Sequence, residues 1–185
     1  MTSPKRRRKA TQARETLRRP RPRTRPILPP EARPLSAGAS DRIIANIDGG
    51  ARGNPGPSGF GVHIQDEKGN ELARLYGFLG HQTNNVAEYA GLLAALRYAA
   101  GRGITRLRVR SDSELLVRQI NGEYRVKNPV LQRLHQSALA LMDRVGSVRV
   151  EHVRREENKE ADRLANEAMD SRTEQPAGIT EGLLA

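Results

Sequence analysis

The chain has 185 residues and a net charge of +11, from 32 Lys/Arg against 21 Asp/Glu. It has no cysteine, which excludes disulfides, cysteine nucleophiles and thiolate metal sites. No apolar run reaches membrane-spanning length and no apolar signal core follows the basic start, so a cytoplasmic protein is expected.

The charge is unevenly placed. Residues 1–40 hold 12 Lys/Arg and 2 Glu, whereas residues 41–185 hold 20 Lys/Arg and 19 Asp/Glu. A basic tail on a nearly neutral body points to a polyanionic partner. Residues 1–40 are rich in Arg and Pro and lack periodicity, so they are expected to be a disordered basic tail. The folded domain is expected over 41–171, with a short flexible C-terminal tail over 172–185.

"RIIANID" (42–48) carries apolar residues on both faces and reads as a central strand. "GFGVHIQD" (59–66) and "ELARLYGFLG" (71–80) read as two strands joined by the turn "EKGN". A long helix is predicted over 84–100, stopped by Gly101 and Gly103. "RLRVRS" (106–111) is a strand and 113–121 a helix ended by Gly122. A third helix covers 128–145, with Pro129 in its first turn. "SVRVEHV" (147–153) is the last strand, and 158–170 the last helix, with Asn158 as its cap. Hairpin-linked strands followed by strands separated by helices predict an α/β fold with a mixed five-stranded sheet.

Four carboxylates stand at matching places in these elements. Asp48 ends the first strand and Asp112 follows the fourth; Glu88 lies early in the long helix and Asp162 in the last one. If the two strands are neighbours, the four converge at one sheet edge. Each has a plainer role: a turn residue at Asp48, helix-start charges at Glu88 and Asp112, a solvated helix charge at Asp162. Together, convergent carboxylates repel one another unless a cation is present, and magnesium or manganese suits an all-oxygen ligand set.

The segments "DGGARGNPGPSGFG", "TNNVAEYAGLLAAL", "VRSDSELLVRQINGEYRVKN" and "VRREENKEADRLANEAMD" resemble, in order, the four motif blocks of type 1 ribonuclease H, over residues 42–170. The resemblance implies sheet order 3-2-1-4-5. It implies an endonuclease that cuts the RNA strand of RNA/DNA hybrids with one or two divalent ions, Mg²⁺ or Mn²⁺, leaving 5′-phosphate and 3′-hydroxyl ends. Carried over by position, Asp48, Glu88, Asp112 and Asp162 are the catalytic metal ligands. Gly49, Gly50 and Asn54 in the glycine-rich hairpin would approach 2′-hydroxyls closely, and Thr83, Asn84 and Asn85 would hold the DNA strand. Rival readings are a non-catalytic nucleic-acid binder on this fold and a related nuclease of the superfamily.

Two features depart from the best-known pattern. Only "NGEYRVKN" separates the second and third helices, so the basic protrusion of many members is absent, as in the compact archaeal and bacterial subgroup. Substrate grip then falls to Arg125, Lys127 or the tail, on a protein expected to be a monomer. A histidine assists some members, and His152 has the right spacing; strand alternation, however, groups it with the inward Val148 and Val150. Arg154 or Arg155 is the alternative auxiliary residue.

Overall fold

The computed structural model describes residues 42–185; the basic tail lies outside them. The elements are β1 (Arg42–Ala51), β2 (Gly56–Asp66), β3 (Glu71–Gln82), α1 (Asn84–Gly101), β4 (Arg106–Ser111), α2 (Glu114–Ile120), α3 (Pro129–Val145), β5 (Ser147–His152), α4 (Lys159–Ser171) and β6 (Glu174–Gln175). The sheet runs β5-β4-β1-β2-β3-β6. Neighbours β1, β2, β3 and β6 pair antiparallel, and β1, β4 and β5 pair parallel. The expected order of five strands is present, and the expected count is corrected to six.

Strand alternation sorts the layers. Ile43, Ala45 and Ile47 are fully buried, and Ile47 faces α1, where it meets the Gly91 position. Their register partners Val62, Ile64, Leu107 and Val109 share that face. Helix α1 is apolar around most of its circumference, because the sheet packs on one side of it and α3 on the other. Helix α4 covers the opposite face over β1, β2 and β3.

The sixth strand comes from the segment expected to be a loose tail, and that expectation is corrected. Glu174 and Gln175 pair with Gly77 and Tyr76 on the edge of β3. Beyond them, the Glu174 carboxylate accepts hydrogen bonds from the backbone N–H of Gly178 at 2.7 Å and of Thr180 at 3.0 Å. Arg97 of α1 donates to the carbonyls of Glu181 and Gly182. Leu183 is 1% exposed and belongs to the main core. A polar, glycine-bearing segment gives no periodic signal, so only the tertiary contact reveals its docking. Leu183→Ala is expected to cost about 2–5 kcal/mol of stability through the cavity it leaves; urea unfolding followed by circular dichroism checks this.

Candidate active site

The parallel register of β1 and β4, with Ile47 beside Ser111, brings Asp48 and Asp112 to the same end of the sheet. Asp48 has Gly61 as its cross-strand partner and lies on the face that α4 covers. The other two carboxylates arrive on helices packed from opposite sides, Glu88 on α1 and Asp162 on α4. Asp48 feels the charges of Asp112 and Asp162, and Glu88 feels those of Asp48 and Asp112. All four sequence-predicted carboxylates therefore share one electrostatic neighbourhood.

That neighbourhood is partly desolvated. Burial, reinforced by Asp112, raises the Asp48 carboxyl to about 6. Burial raises Glu88 to about 7 against the opposing pull of a hydrogen bond with Ser113, and the charges of Asp48 and Asp112 add to the rise. The nearby cation is Arg155, whose Nη2 donates to Asp162 Oδ1 at 3.1 Å. Its guanidinium is pushed further up by Asp162 first, then by Asp112 and Asp48.

Glycines make the convergence possible. A Cβ on Gly49 would lie 2.2 Å from Ala87 C and Glu88 N, so the start of α1 rests directly on the β1 backbone. A Cβ on Gly61 would lie 2.2 Å from the Ala161 carbonyl oxygen, one residue from Asp162. The glycine-rich hairpin is formed by β1 and β2 themselves: Gly49 and Gly50 belong to β1, Gly56 joins the already expected Gly59 and Gly61 in β2, and only a short turn lies between the strands. For Gly49 and Gly61 helix contact, rather than open backbone, explains the absent side chain.

Thr83 caps α1, its Oγ1 accepting from the Val86 N–H at 3.4 Å. Glu88 closes no capping box with Asn85, because the cap sits two residues earlier. The Asn84 side chain accepts from Ala51 N–H at 2.7 Å, and Asn54 Oδ1 accepts from Asn84 N–H at 3.3 Å. These two asparagines tie the β1–β2 turn to the start of α1. Asn85 lies beside them, half-buried.

His152 is exposed, which corrects the reading of it as an inward residue. It ends β5, the outermost strand on its side, so even a core-facing register leaves it open to solvent. Arg154 is exposed as well.

One site residue escaped the sequence reading. Asn158 was expected to cap α4, yet its side chain makes no cap hydrogen bond. It is fully buried, and its Nδ2 donates to the Ile47 carbonyl and to Asp112 Oδ1, both at 2.8 Å. Both partners are acceptors, so the amide nitrogen must face them. Asn158 thus ties Asp112 to β1 directly before Asp48. An Asn at a helix start reads as a cap whether or not its side chain is used elsewhere.

Residues 46–168 match the family described as reverse transcriptase-like. The bifunctional protein Rv2228c of Mycobacterium tuberculosis is 42% identical over 137 residues, which cover 74% of this chain and 38% of that protein. The chain thus spans well under half of that mycobacterial relative. Ribonuclease HI of Halobacterium salinarum is 39% identical over 129 residues, covering 70% of this chain and 65% of that one. The crystal structure of LC11-RNase H1 in complex with RNA/DNA hybrid superposes with a TM-score of 0.68 at 46% identity, covering 71% of this chain and 99% of that one.

The chain belongs to the type 1 ribonuclease H family.

In this family member the four carboxylates would offer hard oxygen ligands of the kind magnesium and manganese prefer. Like charges confined in a desolvated cleft also favour a bound cation. Among the described residues no three Asp, Glu or His side chains already stand together as a closed ligand set.

Two expectations follow from the ribonuclease H site. Asp48 and Glu88 keep their protons to higher pH in the folded state than in the unfolded chain. In chelator, their contribution therefore turns unfavourable as pH rises from about 4 to about 7, and Asp48→Asn flattens that decline. Thermal melts of both proteins across this range check the sign. Asn158→Ala leaves the buried Ile47 carbonyl short of a donor and frees Asp112; a loss of about 1–3 kcal/mol is expected in chemical unfolding.

Proposed function

We propose that the chain is an endoribonuclease that hydrolyses the RNA strand of RNA/DNA hybrids. The observation that carries this reading is the meeting of Asp48, Glu88, Asp112 and Asp162 at one sheet end, with two of them held well above the ordinary carboxylate range. It is supported by the hybrid-bound LC11-RNase H1, 46% identical to this chain. Asp48, Glu88, Asp112 and Asp162 would hold two Mg²⁺ or Mn²⁺ ions. Such ions, when bound, activate an attacking water and stabilise the leaving oxygen in phosphodiester hydrolysis. Water adds at phosphorus, the P–O3′ bond breaks, and the products are a 5′-phosphate and a 3′-hydroxyl.

The chain's own residues do the positioning. Asp48 is central, since it feels both Asp112 and Asp162. Asn158 fixes the rotamer of Asp112. Arg155 balances Asp162, and it, Arg154 or His152 would assist at the scissile phosphate or the leaving group. Thr83 and Asn85, half-buried at the start of α1, contact the DNA strand. Asn54 and Asn84 hold the β1–β2 turn against that helix so that its backbone can meet 2′-hydroxyls, the groups that tell RNA from DNA. The basic segment 1–40 adds sequence-independent phosphate contacts.

Labelled RNA/DNA, RNA/RNA and DNA/DNA duplexes incubated with the protein and magnesium test the proposal. Cleavage of the RNA strand of the hybrid alone is expected, and Asp48→Asn is expected to abolish it. Tight hybrid binding without cleavage would instead make the chain a binding protein on this fold. Removing residues 1–40 is expected to raise KM while leaving kcat within a few-fold, because such contacts bind ground and transition states alike.

A further inference from the structure

The parallel strands align a group of side chains that the carboxylate site does not use. Ile44, Arg108 and Arg149 stand in one row across β1, β4 and β5, and Asn46, Arg110 and Glu151 in the next. The intervening Leu107 and Val109 face α1, so by alternation the arginines project from the opposite side of the sheet. On that side α4 packs over β1, β2 and β3, and among the described residues the β4–β5 half is left open. Side-chain exposure of 38% at Arg108 and 75% at Arg149 bears this out.

The open half is electropositive. Arg108 and Arg149 share a single carboxylate, Glu151, at 3.6 and 3.8 Å. Exposed pairs of this length bind one another weakly and leave the guanidinium groups ready to exchange partners. Arg110 keeps its Nε buried without a hydrogen-bond partner. Arg108 and Arg110, two residues apart on β4, are spaced by about 6.6 Å, and Arg149 stands about 4.8 Å to the side of Arg108. Arginine at such spacing suits a row of phosphates, which it holds bidentately.

Position names the occupant. Arg110 lies two residues before Asp112, which directly follows β4, so the arginines run away from the carboxylates along that strand. At the far end of the row, Arg42 pairs in register with Arg106, and the chain enters β1 there from a segment with 12 Lys/Arg and 2 Glu. A basic approach at one end and a phosphodiester-cutting site at the other select a nucleic-acid strand over an acidic protein.

We propose that the open β4–β5 face, through Arg108, Arg110 and Arg149, holds the phosphate backbone of a single-stranded flank that continues from the duplex engaged at the carboxylates. The inference rests on the proposed hybrid substrate and adds a second contact surface to it.

The test uses the full chain carrying Asp48→Asn, to prevent turnover, and fluorescence anisotropy at 50–200 mM salt. Three probes are compared: a blunt RNA/DNA hybrid, the same hybrid with a ten-nucleotide single-stranded overhang, and the free single strand. The overhang is expected to tighten binding. That gain should shrink about sevenfold across the salt range, the change produced by two phosphate contacts with a slope of ~0.7 each. Adding Arg108→Ala and Arg149→Ala should remove the gain and leave blunt-hybrid affinity unchanged, and the same two changes in the chain that retains Asp48 should leave blunt-hybrid cleavage unchanged. Arg149→Glu, at a largely exposed position, gives the same reading should the double change disturb folding. No gain from the overhang, or a gain that survives both variants, overturns the proposal. So does tighter retention of polyglutamate than of the single strand at equal charge. Failure of blunt-hybrid binding alone would sink the substrate assignment, whereas an arginine-dependent hold on the free single strand would still uphold this surface.

Discussion

The start of α1 lies on β1 with nothing between the two backbones, since even a methyl group at Gly49 would sit 2.2 Å from Ala87 C and Glu88 N. This contact sets the height of the helix above the sheet and so delivers Glu88 to the end of the strand that bears Asp48. The same device recurs on the other face, where Gly61 admits the α4 backbone at Ala161, the residue before Asp162. Two bare positions on adjacent strands thus let two helices bring their acids to one sheet edge. The turn between the strands is held by Asn54 and Asn84, so the helix start and the hairpin form one unit.

Bringing acids together this closely has an electrostatic cost. Water would relieve the repulsion, but packing excludes much of it, and Asp48 and Glu88 respond by holding their protons. Rigid neighbours keep the arrangement from relaxing. Asn158 is bonded to both β1 and Asp112, and Arg155 to Asp162, while Asn166 reaches the Asp162 carbonyl at 2.9 Å. A cluster tuned this way is less stable than a neutral one would be, and more responsive to any cation it meets.

The periphery of the sheet is managed differently at its two sides. At β3 the C-terminal segment pairs with part of the edge, and Leu183 joins the main core. At β5 no further strand pairs among the described residues, and the charged Arg149 and Glu151 on its surface discourage edge-to-edge association. The asymmetry leaves the arginine-bearing half of the α4 side open next to the carboxylates.

Much of this was legible in the sequence. The apolar residues on both faces of "RIIANID", the alternation in "RLRVRS" and the nearly all-apolar turns of α1 are visible in residue pattern alone, and they give the element order and the central place of β1. The four carboxylates were visible because each stands at the end of an apolar strand or in a helix next to one. What periodicity could not supply was anything set by contacts between distant segments. Asn158 has the sequence of a helix cap, and only the approach of α4 to β1 gives its amide the Ile47 carbonyl and Asp112 as partners. Gly49 reads as part of a glycine-rich turn, because a residue without a side chain looks the same whether it faces solvent or a helix backbone. His152 fits an inward register, and its exposure follows from the place of β5 at the sheet edge. The sixth strand needs the edge of β3 to exist before Glu174 and Gln175 have anything to pair with. Local pattern determines which face of an element is apolar; which surface meets that face, and how closely, is decided only when the chain closes on itself.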